Sequence, residues 1–499
     1  MTAYNDLERR FARLAAIGDA IGILGWDCQT MMPDGAATER AAATATLAGL
    51  SHELLTDPRL GDLLAEAEAE SSSLDPWQRA NFHEMRRAWV HATAVPADLV
   101  EASSRASSAA EMIWRTARPA NDFTALRPAL AEVLALQRQI GAAKAEVLGC
   151  SPYEALVDHY EPGARTAMID PLFNGLADFL PDFLGRVLDR QATQPQPEPP
   201  VGPFPIAAQR ALGERLMRQI GFDFNRGRLD VSLHPFCGGA TNDIRLTTRY
   251  DEADFTRALM GVLHETGHAL YEQNRPAPWL AQPVGSARGM AIHESQSLII
   301  EMQAARSHPF MEYLAPLLRE TFGGTGPAWS AANLHRLYTR VEPGFIRVDA
   351  DEVTYPAHVI LRYRLEKSMI EGDLTLGDLP GAWAEGMKAL LGIVPPDDRR
   401  GCLQDIHWPS GGWGYFPTYT LGAAIAAQMF DAASRETQDL LPLLAQGDFT
   451  PLIGWLRTNI HCKGSLLSTT ELLREATGRP LDPTIYRRHL ERRYLEADG

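Results

Sequence analysis

The segment His264-Glu265-Thr266-Gly267-His268 has the pattern HExxH, in which two imidazoles flank a carboxylate. Apolar residues recur three and four positions apart around it, so it is predicted to lie on an amphipathic helix that begins near Asp254. On that helix His264 and His268 lie one turn apart on one face, and both rings can reach one metal ion. Glu265 lies about 100° further round the axis and can reach a water molecule on that metal. The pattern therefore predicts a catalytic zinc site, in which cobalt is a possible substitute.

A catalytic zinc site needs a third protein ligand and an open coordination position. Prolines at 276, 278 and 283 end the first helix, and a second helix is expected to begin near Ser286. Glu294 lies on this second helix, far enough along the chain for a turn to bring its carboxylate back beside the two histidines. Glu294 is therefore the predicted third ligand. Its neighbour His293, which would point elsewhere on a helix, is the rival.

Most of the chain has the periodicity of helices. Residues from about 5 to 190 read as successive helices, and the pattern returns from Asp254 to the end of the sequence. Between residues 228 and 250, alternating apolar residues predict a small antiparallel β element beside the zinc helix. Six prolines between Gln194 and Pro205 exclude a helix there and predict a surface connection. The sequence thus predicts an all-α, mostly helical fold with one small β element.

The composition limits the possible partners. The 499 residues include 47 basic and 63 acidic side chains, a net charge of −16, and such a surface repels nucleic acid. The most basic stretch, residues 487–493, includes Glu491 and is followed by Glu496, which favours a solvated helix face. No window approaches 18 apolar residues, the N-terminus lacks a signal-peptide pattern, and the five cysteines are scattered. We expect a cytoplasmic protein that binds neither nucleic acid nor membranes.

Several blocks of the sequence resemble those of the carboxypeptidase Taq family of zinc metallocarboxypeptidases, and they occur in the same order. The agreement extends over nearly the whole chain. The blocks are HPF at 234–236, DIRLT at 243–247, HETGH at 264–268, HESQ at 293–296, IRVDAD at 346–351 and GCLQDIHW at 401–408. The chain departs from the family's usual pattern at Thr266, where an aromatic residue is common, and at Asp349, where glutamate is common.

The resemblance implies an elongated helical fold with a deep central groove, formed by one catalytic domain over residues 1–499. An N-terminal helical lid subdomain is expected over roughly residues 1–193, and a subdomain with the zinc site and the groove over roughly 206–499. The implied activity is removal of single residues from peptide C-termini, with broad preference and poor cleavage next to proline. A homodimer with one Zn²⁺ per subunit is also implied.

Chemistry and resemblance together suggest catalytic roles. Glu265 is the expected general base, which takes a proton from the metal-bound water and passes it to the leaving amine. Tyr419, by analogy with related helical peptidases, is the first candidate for stabilising the oxyanion, and Tyr415 is the second. Both tyrosines could equally be packing residues in a Gly-rich turn.

An exopeptidase must also recognise the terminal carboxylate of its substrate. A guanidinium suits that task because its planar fork matches two oxygens. The family's block makes Arg347 the leading candidate, and Arg245 is the runner-up, although Asp243 could simply pair with Arg245. For residues 404–408 the alternative to substrate contact is a loop that closes the groove structurally. The resemblance adds four further candidates for substrate binding, namely His234, His407, Gln404 and Asp405.

Two other functions fit the same metal site. The first is an endo-acting zinc oligopeptidase on the same helical scaffold, which would cleave a peptide with an amidated C-terminus. The second is a non-catalytic, zinc-containing peptide-binding protein. Glu265 argues against the second, because a structural zinc site does not need that carboxylate and is usually closed by a fourth protein ligand.

Overall fold

The computed structural model describes residues 2–496, and its twenty α-helices confirm the predicted helical fold. Eight helices precede the proline segment and twelve follow it. The first eight are α1 (Ala3–Thr30), α2 (Ala37–Thr56), α3 (Pro58–Ala69), α4 (Pro76–Thr93), α5 (Ala97–Ala120), α6 (Phe123–Leu148), α7 (Pro152–Tyr160) and α8 (Thr166–Thr193).

The twelve later helices include those that carry the HExxH motif and Glu294. They are α9 (Ile206–Ile220), α10 (Thr256–Gln273), α11 (Met290–Leu298), α12 (His308–Phe322), α13 (Ala331–Tyr338), α14 (Tyr355–Glu371), α15 (Leu379–Leu391), α16 (Pro417–Glu436), α17 (Leu440–Leu444), α18 (Thr450–Asn459), α19 (Thr469–Thr477) and α20 (Pro483–Leu495). Helix α11 continues directly into a π-helical turn over Ile299–Ala305. Within residues 2–496, no helix combines the length and apolar character needed to cross a bilayer.

Helix starts follow local sequence signals. The Asp75 side chain accepts a hydrogen bond from the Gln78 backbone N–H, and the Gln78 side-chain oxygen accepts one from the Asp75 backbone N–H. Pro76 fills the first helical position. The Asp-Pro pair is thus a sequence signal for the start of this helix. The zinc-motif helix α10 begins at Thr256, whose backbone N–H donates to the Asp254 side chain, two residues from the predicted start.

The segment from Gln194 to Pro205 has no helix or strand, as its prolines predict. It lies against the body of the protein and is held there. The backbone of Glu198 exchanges two hydrogen bonds with the side chain of Asn333. Phe204 is buried, with its ring 4.9 Å from that of Phe255. The proline segment is thus a fixed connection between α8 and α9.

The buried apolar side chains of the helices form more than one cluster. Apolar side chains of α1, α3 and α4 form a cluster of their own, which includes Leu7, Leu60 and Met85. Helices α5–α8 instead share one large core with the helices after the proline segment. The subdomain boundary expected between residues 193 and 206 stays a prediction, whereas side-chain packing separates α1, α3 and α4 from the rest.

Polar contacts join these first helices to the body. In a buried ion pair, Glu84 of α4 lies 2.7 Å from Arg288, which precedes α11. Asn81 donates a hydrogen bond to the side chain of Gln282 at 3.1 Å. Further along α4, His91 lies 3.0 Å from the buried carboxylate of Asp158 in α7. The interface between α4 and the rest of the protein therefore includes charges and hydrogen bonds that must remain paired because they are buried.

A three-stranded sheet lies beside α10 and confirms the predicted β element. Its central strand is β3 (Asp243–Thr248), with β1 (Gly227–Val231) on one side and β2 (Cys237–Ala240) on the other. The two strands predicted from apolar alternation, β1 and β3, pair in parallel, and the antiparallel partner of β3 is β2. The prediction was wrong for β1 because apolar alternation reveals a strand's faces and not its direction. The hairpin partner of β3 is β2, whose Gly238-Gly239 pair has no such alternation.

Two glycines allow the backbones of three helices to approach each other closely. A Cβ atom on Gly267 of α10 would lie 2.3 Å from the carbonyl oxygen of Gln296 and 2.6 Å from the Cα of Ser297 in α11. A Cβ atom on Gly422 of α16 would lie 2.8 Å from the Cβ of Glu294 in α11. Only glycine fits at either contact without movement of the helices.

We expect Gly267→Ala to destabilise the protein by about 1–3 kcal/mol, because the added methyl must push α10 away from α11. Gly261→Ala is a matched control on the same helix, since a methyl there would meet only the Thr248 hydroxyl at 4.0 Å. The control should be neutral or stabilising by up to about 1 kcal/mol. Urea unfolding of both variants measures the difference, and equal stabilities would show that the close approach carries no cost.

Candidate metal centre

The structure brings together the three side chains predicted to bind metal. Nε2 of His268 lies 3.4 Å from Oε2 of Glu294, and Nε2 of His264 lies 3.9 Å from the same oxygen. One ligand atom from each residue lies within 4.8 Å of the other two. Tetrahedral ligands at about 2.0–2.2 Å from an ion are separated by similar distances. The donor set and spacing therefore fit a divalent metal ion.

Both imidazoles are oriented by a second hydrogen bond. Nδ1 of His264 lies 2.9 Å from Oε2 of Glu301, and Nδ1 of His268 lies 3.1 Å from the carbonyl oxygen of His293. Each Nδ1–H can donate to its acceptor, which leaves the Nε2 lone pair directed at Glu294. Metal-binding histidines are held in this way in other proteins.

Glu301 comes from the π-helical turn that extends α11. It lies seven residues after Glu294, about two helical turns, so both carboxylates face the histidines of α10. The second oxygen of Glu301 is paired with the guanidinium of Arg306. Sequence reasoning missed Glu301, although its same-face spacing from Glu294 was an available signal. The rival ligand His293 instead lies with Nε2 2.9 Å from the carboxylate of Glu272.

Burial and nearby charges shift the protonation of these groups. Burial lowers the pKa of His268 to about 4, so this ring is neutral, as a metal ligand must be. Burial also opposes the charged form of His264, but its bond to Glu301 and the charge of Glu294 raise its pKa overall. The carboxylates thus attract positive charge to this point. A divalent cation would supply that charge and displace the proton.

Glu265 lies next to the three candidate ligands and does not join them. Its side chain is buried, and burial raises its pKa to about 7. A carboxylate with that pKa can both accept and release a proton near neutral pH.

A cavity of about 710 Å³ opens beside the candidate ligands. Of the predicted substrate-binding and oxyanion residues, Arg347, Tyr415 and Tyr419 line it. Burial raises the pKa of both tyrosines, so their hydroxyls are protonated and can donate hydrogen bonds. The lining also includes Tyr355, which sequence reasoning missed.

Gln404 and Asp405 do not line this cavity but hold Arg347 from behind. Asp405 accepts from Nε of Arg347 at 3.0 Å and from Nε of Arg362 at 2.6 Å. Burial works against the charge on Asp405, yet the two guanidinium groups hold its pKa well below the usual range. The side-chain oxygen of Gln404 accepts from the Arg347 backbone, and its amide donates to the Phe345 carbonyl. Both residues therefore fix the position of Arg347.

The remaining predicted residues also lie outside the cavity. His407 is behind Tyr419, with Nε2 3.3 Å from the tyrosine hydroxyl. Arg245 is bonded to Asp243 through two nitrogens and stacks 4.4 Å from the ring centre of Trp26. His234 is exposed in the loop between β1 and β2, although the next three residues, 235–237, line the cavity.

The protein is largely helical and has a His-His-Glu cluster with a buried carboxylate and a large cavity beside it. This is the architecture of a metal-dependent hydrolase. Comparison with known proteins gives the family. The model of the family described as carboxypeptidase Taq (M32) metallopeptidase matches residues 6–494. The chain therefore belongs to this family, it is a metallocarboxypeptidase, and the resemblance found in the sequence is confirmed.

Individual relatives agree with this assignment over their full length. Thermostable carboxypeptidase 1 of Thermus thermophilus is 39% identical over 514 aligned residues, which cover 100% of this chain and 99% of the relative. Thermostable carboxypeptidase 1 of Pyrococcus furiosus is 34% identical, with 97% of each chain covered. The solved structure of Trypanosoma cruzi metallocarboxypeptidase 1 superposes with a TM-score of 0.97, at 44% identity and 99% coverage of both chains.

We expect Glu301→Gln to weaken metal binding by about 10–100-fold, because the amide cannot hold His264 through the same charged hydrogen bond. Competition with a chelator of known affinity measures the metal dissociation constant. Glu320→Gln is the control, since Glu320 lies on the exposed face of α12 near Arg215. Unchanged metal affinity in Glu301→Gln would contradict the assigned role of Glu301.

Proposed function

We propose that this metallocarboxypeptidase uses zinc, bound by His264, His268 and Glu294, to remove the C-terminal residue of peptides. The observation that supports this best is the convergence of three ligand atoms within 4.8 Å, with both Nδ1 atoms already held by acceptors. Zinc prefers such nitrogen and oxygen ligands, and three protein ligands leave a coordination position open. Cobalt suits the same set and is a possible substitute.

Zinc bound there supplies Lewis acidity and a water molecule of lowered pKa. The protein supplies the proton transfers. Glu265, with a pKa of about 7, accepts a proton from the attacking water and later delivers it to the leaving amine. Tyr419 and Tyr415 line the same cavity with protonated hydroxyls, and one of them donates to the oxyanion of the tetrahedral intermediate.

Arg347 is the proposed receptor for the terminal carboxylate. Its Nε–H donates to Asp405 and one N–H of Nη1 donates to the Tyr355 hydroxyl, while Nη2 lies 2.9 Å from the same Asp405 oxygen. Within residues 2–496, the other N–H groups of its two terminal nitrogens have no hydrogen-bond partner. Because Arg362 shares the same aspartate, the group of two guanidiniums and one carboxylate keeps a net charge of +1. A fixed guanidinium with spare donors on a cavity wall suits an incoming carboxylate.

Broad side-chain preference is consistent with main-chain recognition. Strand β2 is an edge strand of the sheet, and Phe236 and Cys237 at its start line the cavity. Helix α1 covers the far end of β2, where Gly22 lies against the carbonyl of Gly239. A peptide added along the free part would form backbone hydrogen bonds that do not depend on its side chains. Proline, which lacks the N–H, would bind poorly there.

The two alternative functions receive less support. Membership of a carboxypeptidase family disfavours both an endo-acting oligopeptidase and a non-catalytic peptide-binding protein. A homodimer with one metal ion per subunit and a cytoplasmic location complete the proposal. Mass spectrometry of a mixed peptide digest over time tests the reaction: C-terminal ladders are expected, and internal fragments would overturn the proposal.

We expect Glu265→Gln to retain one metal ion per chain and to lose about 10²–10⁴-fold in kcat, because the amide binds in the same place but cannot take a proton. Elemental analysis measures the metal, and hydrolysis of a blocked dipeptide measures kcat. A variant that loses metal as well would show that Glu265 supports the site and is not only the base.

We expect Arg347→Gln to lower kcat/KM by about 10²-fold or more and to reduce the preference for a free C-terminus over an amidated one. The matched control is Arg245→Gln, because Arg245 lies outside the cavity and should leave both quantities near those of the unaltered enzyme. Arg347→Lys, which keeps the charge, checks that the loss does not come from unfolding around Asp405. If Arg245→Gln shows the larger loss, the two arginines have been assigned the wrong way round.

A further inference from the structure

A second large cavity lies on the other side of the π-helical turn from the metal centre. Its volume is about 560 Å³, within the range of small-molecule sites. Its walls come from α8, α12, α13 and α20, and Gln303 lines both this cavity and the metal cavity. We call it the rear cavity. None of the candidate catalytic or metal-binding residues lines it.

The rear cavity is strongly basic, in contrast to the protein's net charge of −16. The only acidic residue among the described residues that line it is Glu496. Against this one carboxylate stand four arginines, Arg190, Arg336, Arg492 and Arg493, of which Arg493 is paired with Glu352. Three histidines, His308, His335 and His489, also line the cavity, and burial lowers the pKa of His335 and His489. An excess of this size in a concave site focuses positive potential inside it.

Two of these arginines have no partner in the part of the chain that the structure describes. Neither Arg336 nor Arg492 forms a hydrogen bond or lies within 4 Å of a carboxylate, and the buried Nε of Arg336 is unsatisfied. The buried Nε2 of His335, on the same helix, is also without a partner. Buried polar atoms are normally paired, so these atoms indicate a missing acceptor.

The basic side chains also affect each other across the cavity. His335 lies 5.4 Å from the ring of His308, and its pKa falls to about 4 through burial and the charges of Arg493, His308 and Arg336. Arg493 is fixed by Glu352 and by the carbonyls of Met302 and Gln303. The rear cavity is thus lined by one guanidinium whose position is fixed, that of Arg493, and by two whose N–H donors are unused, those of Arg336 and Arg492.

We propose that the rear cavity binds a small multivalent anion that carries phosphate or carboxylate groups. Guanidinium groups bind both oxyanions through paired N–H donors, and the spare donors of Arg336 and Arg492 supply these contacts. An anion there satisfies the unpaired atoms and neutralises charges that otherwise repel each other. This site is separate from the proposed peptidase chemistry and does not depend on it.

Isothermal titration calorimetry on the metal-loaded enzyme tests the proposal with two probes. Fructose 1,6-bisphosphate represents phosphate ligands, and propane-1,2,3-tricarboxylate represents carboxylate ligands. We expect at least one probe to bind with a stoichiometry of one per chain. The probe that binds more tightly shows whether the site prefers phosphate or carboxylate groups. Affinity for it should fall by about tenfold or more in Arg336→Gln/Arg492→Gln.

The matched control is Arg488→Gln, because Arg488 is on the same helix but faces Asp431 at 3.2 Å outside the cavity. Its affinity for the probe should change less than twofold, and the double variant should keep its Tm and peptidase activity. The single variant Arg492→Gln, at an exposed position, provides the same test if the double variant is unstable. Absence of binding by both probes, or equal binding by the double variant, would overturn the proposal.

Discussion

The active centre depends on the close contact of three helices around Glu294. Gly267 lets α10 approach α11, and Gly422 lets α16 approach the stem of Glu294 from the other side. The carboxylate is held between these contacts and faces both imidazoles at 3.4 and 3.9 Å. A metal site tolerates only small errors in ligand position. Tightly packed backbone contacts therefore suit the task of setting the distances between Glu294 and the two imidazoles.

Behind the ligands, carboxylates and guanidiniums alternate through the interior. Glu301 connects His264 to Arg306, and Asp405 connects Arg347 to Arg362. In each case a buried acid is shared by two groups, so its charge is balanced and its position is set from two directions. Such paired networks are costly to disturb, since the removal of one partner leaves another charge buried alone. The protein thereby orients one candidate metal ligand, His264, and one substrate-binding candidate, Arg347, by the same means.

The features that could be predicted from the sequence are those that depend on the spacing of residues along the chain. The HExxH helix, the approach of Glu294 to its two histidines and the helical fold all follow from periodicity, helix-end signals and the distance between motifs. The strand direction of β1 and the existence of β2 could not be predicted, because glycine-rich strands lack an apolar pattern. Gln404 and Asp405 were assigned to substrate, but they hold Arg347. A motif shows that residues act together without showing which of them faces the cavity.

The separate packing of α1, α3 and α4 has a consequence for how the protein opens. Their buried apolar side chains form a cluster separate from the main core, and paired charges such as Glu84 and Arg288 help to join them to the body. Opening such a separately packed unit costs less free energy than unfolding the continuous core. Salt also weakens the ion pairs between the two parts more than it weakens the apolar interior. Amide protons of α4 should therefore exchange with solvent before those of α10, and this edge of the protein can loosen while the candidate metal ligands stay in place.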